Sequence, residues 1–229
     1  LLDLMYQYNC HNIIFSSSAT VYGMPEYSPC DENHRVSPIN PYGRSKFFIE
    51  EIIKDWTISD DRNKSIILRY FNPVGAHKSG LIGESPLGTP NNLFPYISGV
   101  ICNKYNYLSI YGNDYDTIDG TGVRDYVHVE DIAIAHVHAL NLLKNDFKHE
   151  IINLGTGIGF SVLQILTEFE KIIKKPIPFK FKPRRLGDPG FVVADNKKAK
   201  SMLKWKVRNN LNKICEDTIR WIQKYDHGE

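Results

Sequence analysis

The chain has 229 residues, of which 42% are hydrophobic and 24% charged, so it can bury one large core or two small ones. Its formal net charge of +2 is too small to indicate a nucleic-acid partner, and its most basic stretch, residues 180–185, is short and interrupted. No apolar run reaches the length that a bilayer-spanning helix needs, so we expect no membrane partner.

The cysteines bear on the cellular compartment of the protein, and the first residues bear on whether the chain is part of a longer one. The four cysteines are scattered and form no C-x-x-C pair: Cys10, Cys30, Cys102 and Cys215. This spacing predicts reduced thiols in a cytoplasmic protein, with neither a disulfide framework nor a bound metal. The chain starts at Leu1 without a methionine, in a stretch typical of the end of an amphipathic helix, so we expect it to be a fragment of a longer protein.

The first elements after that helical end follow a strand–helix–strand order. Residues 12–16 form a short apolar run typical of a buried parallel strand, and residues 65–71 form a second one. Between them we predict a helix over residues 41–56, because Asn40 can cap it and Pro41 suits the first helical position. This order predicts an α/β fold with a parallel sheet.

The remaining elements mix helices and strands. Residues 72–92 form a Gly- and Pro-rich segment that is too long for a simple connector. We predict further strands over residues 107–111, 151–154 and 178–181. We predict helices over residues 93–103 and 130–144, after a capping serine at residue 161, and over residues 210–224.

Tyr42 and Lys46 are four residues apart near the start of a predicted helix, so their side chains share one face. A positive charge one turn away favours the ionised form of a phenol, which makes tyrosine a base able to take a proton from an alcohol. In a chain with 13 tyrosines, roughly one Tyr-x-x-x-Lys pair is expected by chance. The pair therefore becomes informative only through its neighbours.

Hydroxyl side chains end the strand that precedes this pair. Residues 16–18 are all serine and are followed by Thr20, at the carboxyl end of a parallel strand, where open α/β sheets bind ligands. One interpretation is an ordinary Ser/Thr turn. In the other, Ser18 and Thr20 relay a proton between Tyr42 and a substrate hydroxyl.

Five motifs together carry a resemblance to a known enzyme family. They are Ser-Ser-Ser-Ala-Thr-Val-Tyr-Gly at residues 16–23, Pro-Tyr-Gly-x-Ser-Lys at 41–46, Arg-Tyr-Phe-Asn-Pro-Val-Gly-Ala-His at 69–77, Asn-Asn-Leu at 91–93 and Gly-Thr-Gly-Val-Arg-Asp-Tyr at 120–126. In this order they resemble the UDP-glucose 4-epimerases of the extended short-chain dehydrogenase/reductase superfamily. Tyr-x-x-x-Lys marks only the superfamily, whereas Phe-Asn-Pro-Val-Gly-Ala-His and Gly-Thr-Gly-Val-Arg-Asp-Tyr are specific to the epimerases.

The resemblance implies reversible C4 epimerisation of UDP-glucose and UDP-galactose through a 4-keto sugar, with a tightly held NAD that takes up and returns the hydride. Tyr42 is then the base that removes the proton of the sugar 4-hydroxyl, directly or through Ser18, with Thr20 as a further hydroxyl of the catalytic group. Tyr42 and Lys46 also contact the cofactor, Lys46 at the nicotinamide ribose, and Phe71 lies against the nicotinamide end.

A second set of residues is implied to bind the nucleotide sugar. Arg124 and Arg185 suit the diphosphate because a guanidinium group is a forked donor. The other implied contacts are Ser18, Asn72, Asn92 and Leu93, the strand Ser109, Ile110 and Tyr111 whose edge reads uracil, Asp188 at the ribose, and Val192. At the position of Val192 the family has either a tyrosine or a smaller residue, and the smaller one is associated with N-acetylated sugars. We therefore expect UDP-N-acetyl sugars to be accepted too.

The fold implied by the resemblance is the C-terminal part of a Rossmann-type doubly wound parallel sheet plus a smaller mixed α/β domain. Residues 1–75 and 129–155 are expected in the NAD-binding part, and residues 76–128 and 156–229 in the nucleotide-sugar-binding part. The family commonly pairs through two helices, one of which ends within residues 1–8. A homodimer is therefore expected for the intact protein, and an isolated fragment is expected to be inactive.

One feature of an intact cofactor site is missing, and two other features imitate a site. No glycine-rich phosphate loop precedes residue 16, although one opens the Rossmann domain in this superfamily. Residues 155–159 read Gly-Thr-Gly-Ile-Gly, but Phe160 stands where the third glycine of G-x-G-x-x-G belongs, so we expect a tight structural turn there. His136 and His138 are two apart on a predicted helix and face different directions, which argues against a shared metal.

Two other functions remain open. One is a nucleotide-sugar 4,6-dehydratase or decarboxylase of the same superfamily. Dehydratases usually carry an Asp-Glu pair at Ala19 and a neighbouring hydroxyl position, so Ser18-Ala19-Thr20 argues against them. The other is a non-catalytic nucleotide-sugar-binding protein that kept the sugar pocket and lost the cofactor half.

Overall fold

The computed structural model describes residues 1–226. Within that range the strands are β1 (Asn12–Ser18), β2 (Lys64–Tyr70), β3 (Asn72–Val74), β4 (Leu108–Tyr111), β5 (Val123–His128), β6 (His149–Leu154), β7 (Gly159–Ser161), β8 (Phe179–Lys182) and β9 (Phe191–Val192). The helices are α1 (Leu2–Gln7), α2 (Pro41–Ser59), α3 (Leu93–Ile101), α4 (Val129–Leu142), α5 (Val162–Ile173), α6 (Lys197–Met202) and α7 (Leu211–Asp226), with a short 3-10 helix at Ala19–Tyr22.

A three-stranded parallel sheet with the order β1-β2-β6 forms the first half of the fold. Its register pairs Ser18 with Tyr70 and Tyr70 with Leu154, so the three strands end side by side. Consecutive residues Ile66 and Ile67 of β2 are both fully buried, as expected for a strand covered on both faces. The predicted α/β class with a parallel sheet is confirmed.

Helices cover the two faces of this sheet. On one face α2 packs against β1 and β2, and the Thr57 hydroxyl lies 2.7 Å from that of Ser65. On the other face Ile66 and Leu68 join a core with residues of α4 and with Trp205, whose indole N–H donates to the Asp131 carbonyl. The alternation of side chains along β2 thus sends successive residues into two different cores.

The second half of the fold is built around β5. This strand pairs in parallel with β3 and β9 and antiparallel with β7, while β4 and β8 form a separate parallel pair. Helices α3, α5 and α7 enclose an apolar core with an aromatic centre of Phe94, Tyr126 and Phe169. Helix α5 begins with a capping box, in which Ser161 and Gln164 satisfy each other's backbone N–H groups.

Several details differ from the predictions. The short strands β3, β7 and β9 escaped prediction because two or three residues are too few to show a period. Strand β3 belongs to residues 1–75 but pairs with β5, and α6 belongs to residues 156–229 but packs against β6. These contacts, with the packing of Trp205 against β2 and α4, join the two predicted domains at several places, and the division itself stays a prediction. Within residues 1–226 no helix combines the length and the apolar character needed to cross a membrane.

Candidate functional site

A cavity of about 780 Å³ lies between the two halves of the fold, beyond the carboxyl ends of β1 and β2. Thirteen of the predicted site residues line it: Ser18, Thr20, Tyr42, Phe71, Asn72, Asn92, Leu93, Ser109, Ile110, Tyr111, Arg124, Arg185 and Asp188. Residues that are as far as 170 positions apart in the chain are thus brought to one place. Lys46 and Val192 do not line the cavity.

Helix α2 presents Tyr42 and Lys46 at its first two turns. Asn40 caps the helix by accepting a hydrogen bond of 2.7 Å from the Gly43 N–H. The Tyr42 side chain lies at the cavity and is 55% exposed. The Lys46 Nζ lies 5.6 Å from the centre of the Tyr42 ring and donates to the Ser16 carbonyl at 2.8 Å. Lys46 therefore joins the helix to the end of β1 beside the phenol.

Gly43 is a site residue that the sequence analysis missed. A Cβ at this position would come within 2.7 Å of the Thr20 carbonyl oxygen, too close for any other residue without a backbone shift. The first turn of α2 can therefore pack directly on the loop after β1. A glycine between Tyr42 and Lys46 could have been recognised as a close-approach position.

The hydroxyl groups after β1 form a small directed network. The Thr20 hydroxyl donates to Ser18 Oγ at 2.8 Å, and the Thr20 N–H donates to the same oxygen at 3.2 Å. Ser18 Oγ is thus an acceptor twice and keeps its own proton for a donor role. Since Ser18 and Tyr42 line the same cavity, the geometry allows a substrate hydroxyl to contact both.

Arginine side chains form the opposite side of the cavity. Arg124 forms an ion pair with Asp188 and donates to the Val123 carbonyl at 2.9 Å. The Arg185 guanidinium stacks over the Tyr111 ring at 4.0 Å. The neighbouring Arg184 instead pairs with Asp114, and it does not line the cavity. Cationic groups and an aromatic ring are thus assembled on one side of the cavity.

Val192 lies behind this cavity rather than in its lining. Its side chain is 8% exposed and belongs to a cluster with Val21, Tyr22 and Phe71. Of these, Phe71 lines the cavity, so Val192 borders the site through Phe71. Its effect on the ligand would be indirect, through the position of this neighbour.

A buried polar network beneath the cavity was not predicted. Glu50 and Arg69 form an ion pair of 2.6 Å with both side chains only 3% exposed, and Glu50 also accepts from the Ser17 hydroxyl. Arg69 donates to the Tyr22 hydroxyl at 3.1 Å, and burial raises the pKa of Tyr22 to about 12. An arginine inside the apolar run of residues 65–71 was a signal that could have indicated it.

A second cluster of hydrogen bonds lies at the edge of the cavity around Tyr70. The Tyr70 hydroxyl lies 2.6 Å from His136 Nε2 and 2.6 Å from Ser16 Oγ. His136 Nδ1 contacts the Ile132 carbonyl at 2.9 Å, so His136 is held within the fold. His138 Nδ1 contacts the Leu203 carbonyl at 2.7 Å, so the two histidines have separate partners.

The turn at residues 155–159 uses its backbone donors internally. The Asp125 carboxylate accepts from the N–H groups of Thr156 at 2.7 Å, Gly157 at 2.9 Å and Ala194 at 3.2 Å. Burial raises the pKa of Asp125 despite these bonds. Asp125 thus fastens the turn, and Ala194 after β9, to β5. Because the N–H groups already have a carboxylate partner, this turn is not a phosphate loop.

Other possible sites are few in the part of the chain that the structure describes. No group of three or more His, Cys, Asp or Glu side chains within residues 1–226 could hold a metal ion. A second cavity of about 710 Å³ lies among α3, α5 and α7, and none of the predicted site residues lines it.

The comparisons with known proteins agree with this geometry. The model of a family described as GDP-mannose 4,6 dehydratase matches residues 1–218. UDP-glucose 4-epimerase 2 of Arabidopsis thaliana is 51% identical over the whole chain, and UDP-glucose 4-epimerase of Bacillus subtilis is 48% identical. The chain spans 65% and 67% of these two relatives, respectively, so it corresponds to about two thirds of their length.

Solved structures give the same result. A UDP-glucose 4-epimerase from Stenotrophomonas maltophila with bound NAD and formylated UDP-arabinopyranose matches with a TM-score of 0.97 and 43% identity. The enzyme from Bifidobacterium longum in complex with NAD+ and UDP matches with a TM-score of 0.94 and 44% identity. Each match covers 100% of this chain and 68% of the other.

Proposed function

Because the chain belongs to the UDP-glucose 4-epimerase family, we propose that the full-length protein interconverts UDP-glucose and UDP-galactose by inverting C4 of the sugar. One observation carries the proposal: a single cavity is lined by an exposed phenol, Tyr42, by the Ser18 hydroxyl and by two guanidinium groups, Arg124 and Arg185. An alcohol oxidation needs a base at the reacting hydroxyl, and the diphosphate attached to C1 of the same sugar needs cations.

Proton removal is assigned to Tyr42. Its side chain is accessible from the cavity, and the Lys46 ammonium lies 5.6 Å from the centre of its ring. Ser18 Oγ accepts twice from Thr20 and so keeps its own proton to donate. For a relay, the sugar 4-hydroxyl takes the acceptor position of the Thr20 hydroxyl, and Ser18 gives its proton to Tyr42 as it receives that of the sugar. The reverse transfer returns the proton when the sugar is reduced.

The residues around Lys46 fit the nicotinamide end of NAD. Lys46 uses one of its three N–H donors on the Ser16 carbonyl, which leaves donors for a ribose hydroxyl, and Phe71 offers an apolar surface at the cavity. NAD supplies reversible acceptance of a hydride from C4. The pyrophosphate end finds no counterpart at the turn of residues 155–159, whose donors hold Asp125. We propose that this end is bound by another part of the full-length protein.

The nucleotide sugar is assigned to the opposite side of the cavity. Arg124 and Arg185 bind the diphosphate, while the strand Ser109, Ile110 and Tyr111 reads uracil and Asp188 contacts the ribose. Asn72, Asn92 and Leu93 lie along the same cavity and are assigned to the substrate. Residues 1–75 and 129–155 then serve the cofactor, and residues 76–128 and 156–229 serve the sugar nucleotide.

We also propose that UDP-N-acetyl sugars are substrates. Val192 is smaller than the tyrosine found at this position in part of the family, and it packs behind Phe71, which lines the cavity. A side chain smaller than tyrosine at this position would let the wall yield to a larger substituent on the sugar. Turnover of UDP-galactose without turnover of UDP-N-acetylgalactosamine would contradict this proposal.

A homodimer is proposed for the intact protein. Helix α2 exposes Phe48 and Ile52, which are 59% and 55% exposed, and α1 exposes Leu4 and Tyr6. Apolar side chains at such positions are typical of a covered helical surface. Replacing Phe48 with Glu is expected to convert the dimer to a monomer, as measured by light scattering. A dimer of unchanged mass would contradict the proposal.

A cytoplasmic location is also proposed, in accord with free thiols at Cys10, Cys30 and Cys215.

The deciding experiment uses the full-length protein with NAD. Incubation with UDP-galactose should produce UDP-glucose, which proton NMR distinguishes by the coupling of the sugar protons. Formation of a 4-keto-6-deoxy sugar would indicate a dehydratase instead. Binding of UDP without any turnover would indicate a nucleotide-sugar-binding protein.

A further inference from the structure

The ion pair of Glu50 and Arg69 lies directly beneath the proposed catalytic residues. Glu50 Oε2 receives Arg69 Nη2 at 2.6 Å, and Glu50 Oε1 receives Arg69 Nε at 3.0 Å, so the contact is bidentate. Both side chains are 3% exposed. Removing two charges from water is costly, and a buried ion pair is weak evidence for a contribution to stability. A contribution to stability alone therefore does not account for this ion pair.

The carboxylate of Glu50 connects two elements. It accepts the Ser17 hydroxyl, and Ser17 lies between Ser16, whose carbonyl binds Lys46, and Ser18, which lines the cavity. Glu50 itself follows Lys46 by one turn and Tyr42 by two turns of the same helix, so the three side chains share a face. One carboxylate thus ties the serine end of β1 to the face of α2 that carries Tyr42 and Lys46.

The other partner of the pair is held just as firmly. Arg69 lies on β2, next to β1, and its Nη1 donates to the Tyr22 hydroxyl at 3.1 Å. Tyr22 in turn donates to Asn153 Oδ1 of β6 at 2.7 Å, and Asn153 donates to the Cys30 carbonyl at 3.0 Å. Bonds therefore run without interruption from α2 across β1 and β2 to β6.

We propose that Glu50, Arg69 and Ser17 are positioning residues, which fix the distance between the Ser18 hydroxyl and the Tyr42–Lys46 pair for proton transfer. The inference rests on the proposed epimerase function and deepens it. None of the three needs to touch the reacting atoms of the sugar: Glu50 and Arg69 act through the helix and the strand that they join. Misplacement of a reacting group by about 1 Å can lower the rate about 100-fold. A rigid connection between β1 and α2 would therefore keep proton transfer fast.

The test replaces Glu50 with Gln in the full-length, NAD-loaded protein. The variant keeps the shape of the side chain but removes the charge that binds Arg69 and Ser17. We expect kcat for UDP-galactose to fall by about 10- to 100-fold while KM changes by less than about twofold. KM should be preserved because the residues assigned to uridine and diphosphate lie on the opposite side of the cavity.

A matched control separates positioning from stability. Asp131 is a fully buried carboxylate on α4 that accepts from the backbone N–H groups of Arg208 and Asn209, on the far side of the sheet. Asp131→Asn also removes one buried charge, and it should lower the melting temperature without changing kcat or KM of the folded protein. If Asp131→Asn lowers kcat at unchanged KM as Glu50→Gln does, the effect is structural and the proposal is wrong.

Two further outcomes keep the test decisive. If Glu50→Gln does not fold, Ser17→Ala removes one bond to Glu50 and should lower kcat about three- to tenfold at unchanged KM. An unchanged kcat in the folded Glu50→Gln variant, or in Ser17→Ala where Glu50→Gln fails to fold, overturns the positioning role. Failure of the wild-type protein to interconvert the sugars would instead overturn the proposed function.

Discussion

On one side of the cavity the wall made by β1 and α2 is held by buried charges, whereas the opposite wall carries charges that remain partly open to solvent. Glu50 and Arg69 are 3% exposed, while Arg124 and Asp188 are 16% and 36% exposed at the side chain. Buried groups with complete hydrogen bonding are rigid and weakly screened by salt. Partly exposed groups such as Arg124 can exchange an ion-pair partner within the protein for a charged ligand at a lower cost in free energy.

This difference suits the two tasks of the site. Proton transfer needs a base and a hydroxyl at a fixed separation, which the buried wall supplies. Binding of a charged nucleotide needs cations that face the cavity, and Arg185 meets this need while it rests on Tyr111. We therefore expect changes in the first wall to affect kcat, and changes in the second to affect affinity and its dependence on salt.

The largest effect is expected from Tyr42→Phe. Removing the phenolic oxygen removes the proposed base, so kcat for UDP-galactose should fall by about 100- to 10,000-fold. The melting temperature should change little, because the side chain is more than half exposed. A rate within about tenfold of wild type, measured on protein free of the wild-type enzyme, would exclude Tyr42 as the base.

The next effect concerns the opposite wall. Arg185→Ala should weaken UDP binding by about 10- to 100-fold in calorimetry, because a charge-assisted bond to the diphosphate is lost. It should also flatten the dependence of affinity on salt. The matched control is Arg184→Ala, since Arg184 pairs with Asp114 and does not line the cavity. Equal losses in both variants would contradict the division between the neighbouring arginines.

A smaller effect, on the free energy of unfolding at alkaline pH, is expected from the buried hydroxyl of Tyr22. Burial raises the pKa of Tyr22 to about 12, so the folded protein keeps this proton at pH values where the unfolded chain, with a pKa near 10, releases it. The stabilisation is fully present below pH 10 and is lost as pH rises towards 12. It amounts to about 2–3 kcal/mol over that window.

Tyr22→Phe removes this titration. The variant should be less stable than wild type at pH 8, because Arg69 and Asn153 each lose a partner. Between pH 10 and 12, however, its free energy of unfolding should fall by about 2–3 kcal/mol less than that of wild type. Denaturant titrations at several pH values measure both changes. Parallel pH curves for the two proteins would contradict the assignment.

The smallest effect is expected from Asn40→Ala. Loss of the cap of α2 should lower stability by about 1 kcal/mol, with kcat reduced only as far as the first turn frays near Tyr42. Thermal unfolding and steady-state kinetics of one preparation measure the two quantities together. A decrease in kcat larger than that of Glu50→Gln would show that the cap, and not the buried ion pair, controls the position of Tyr42.

Local signals along the chain were sufficient for the main elements. Asn40 and Pro41 marked the start of α2, and the apolar runs marked β1, β2 and β6 within a few residues. The failure of residues 155–159 to match a phosphate loop was also readable from spacing alone. The short strands β3, β7 and β9 carried no such signal, because they form through pairing with β5 rather than through a pattern of their own.

The sequence by itself determined the parallel α/β class and the Tyr-x-x-x-Lys pair, since these depend on residue type and spacing, and the other site residues were predicted from the resemblance of its motifs to one family. Only the tertiary structure decided that Val192 lies outside the cavity lining, in a buried cluster that includes Phe71, and that Glu50 meets Arg69 under the serines. Those facts depend on which side chains meet after distant segments pack. Burial and charge pairing between such segments are properties of the packed chain and leave no local period in the sequence.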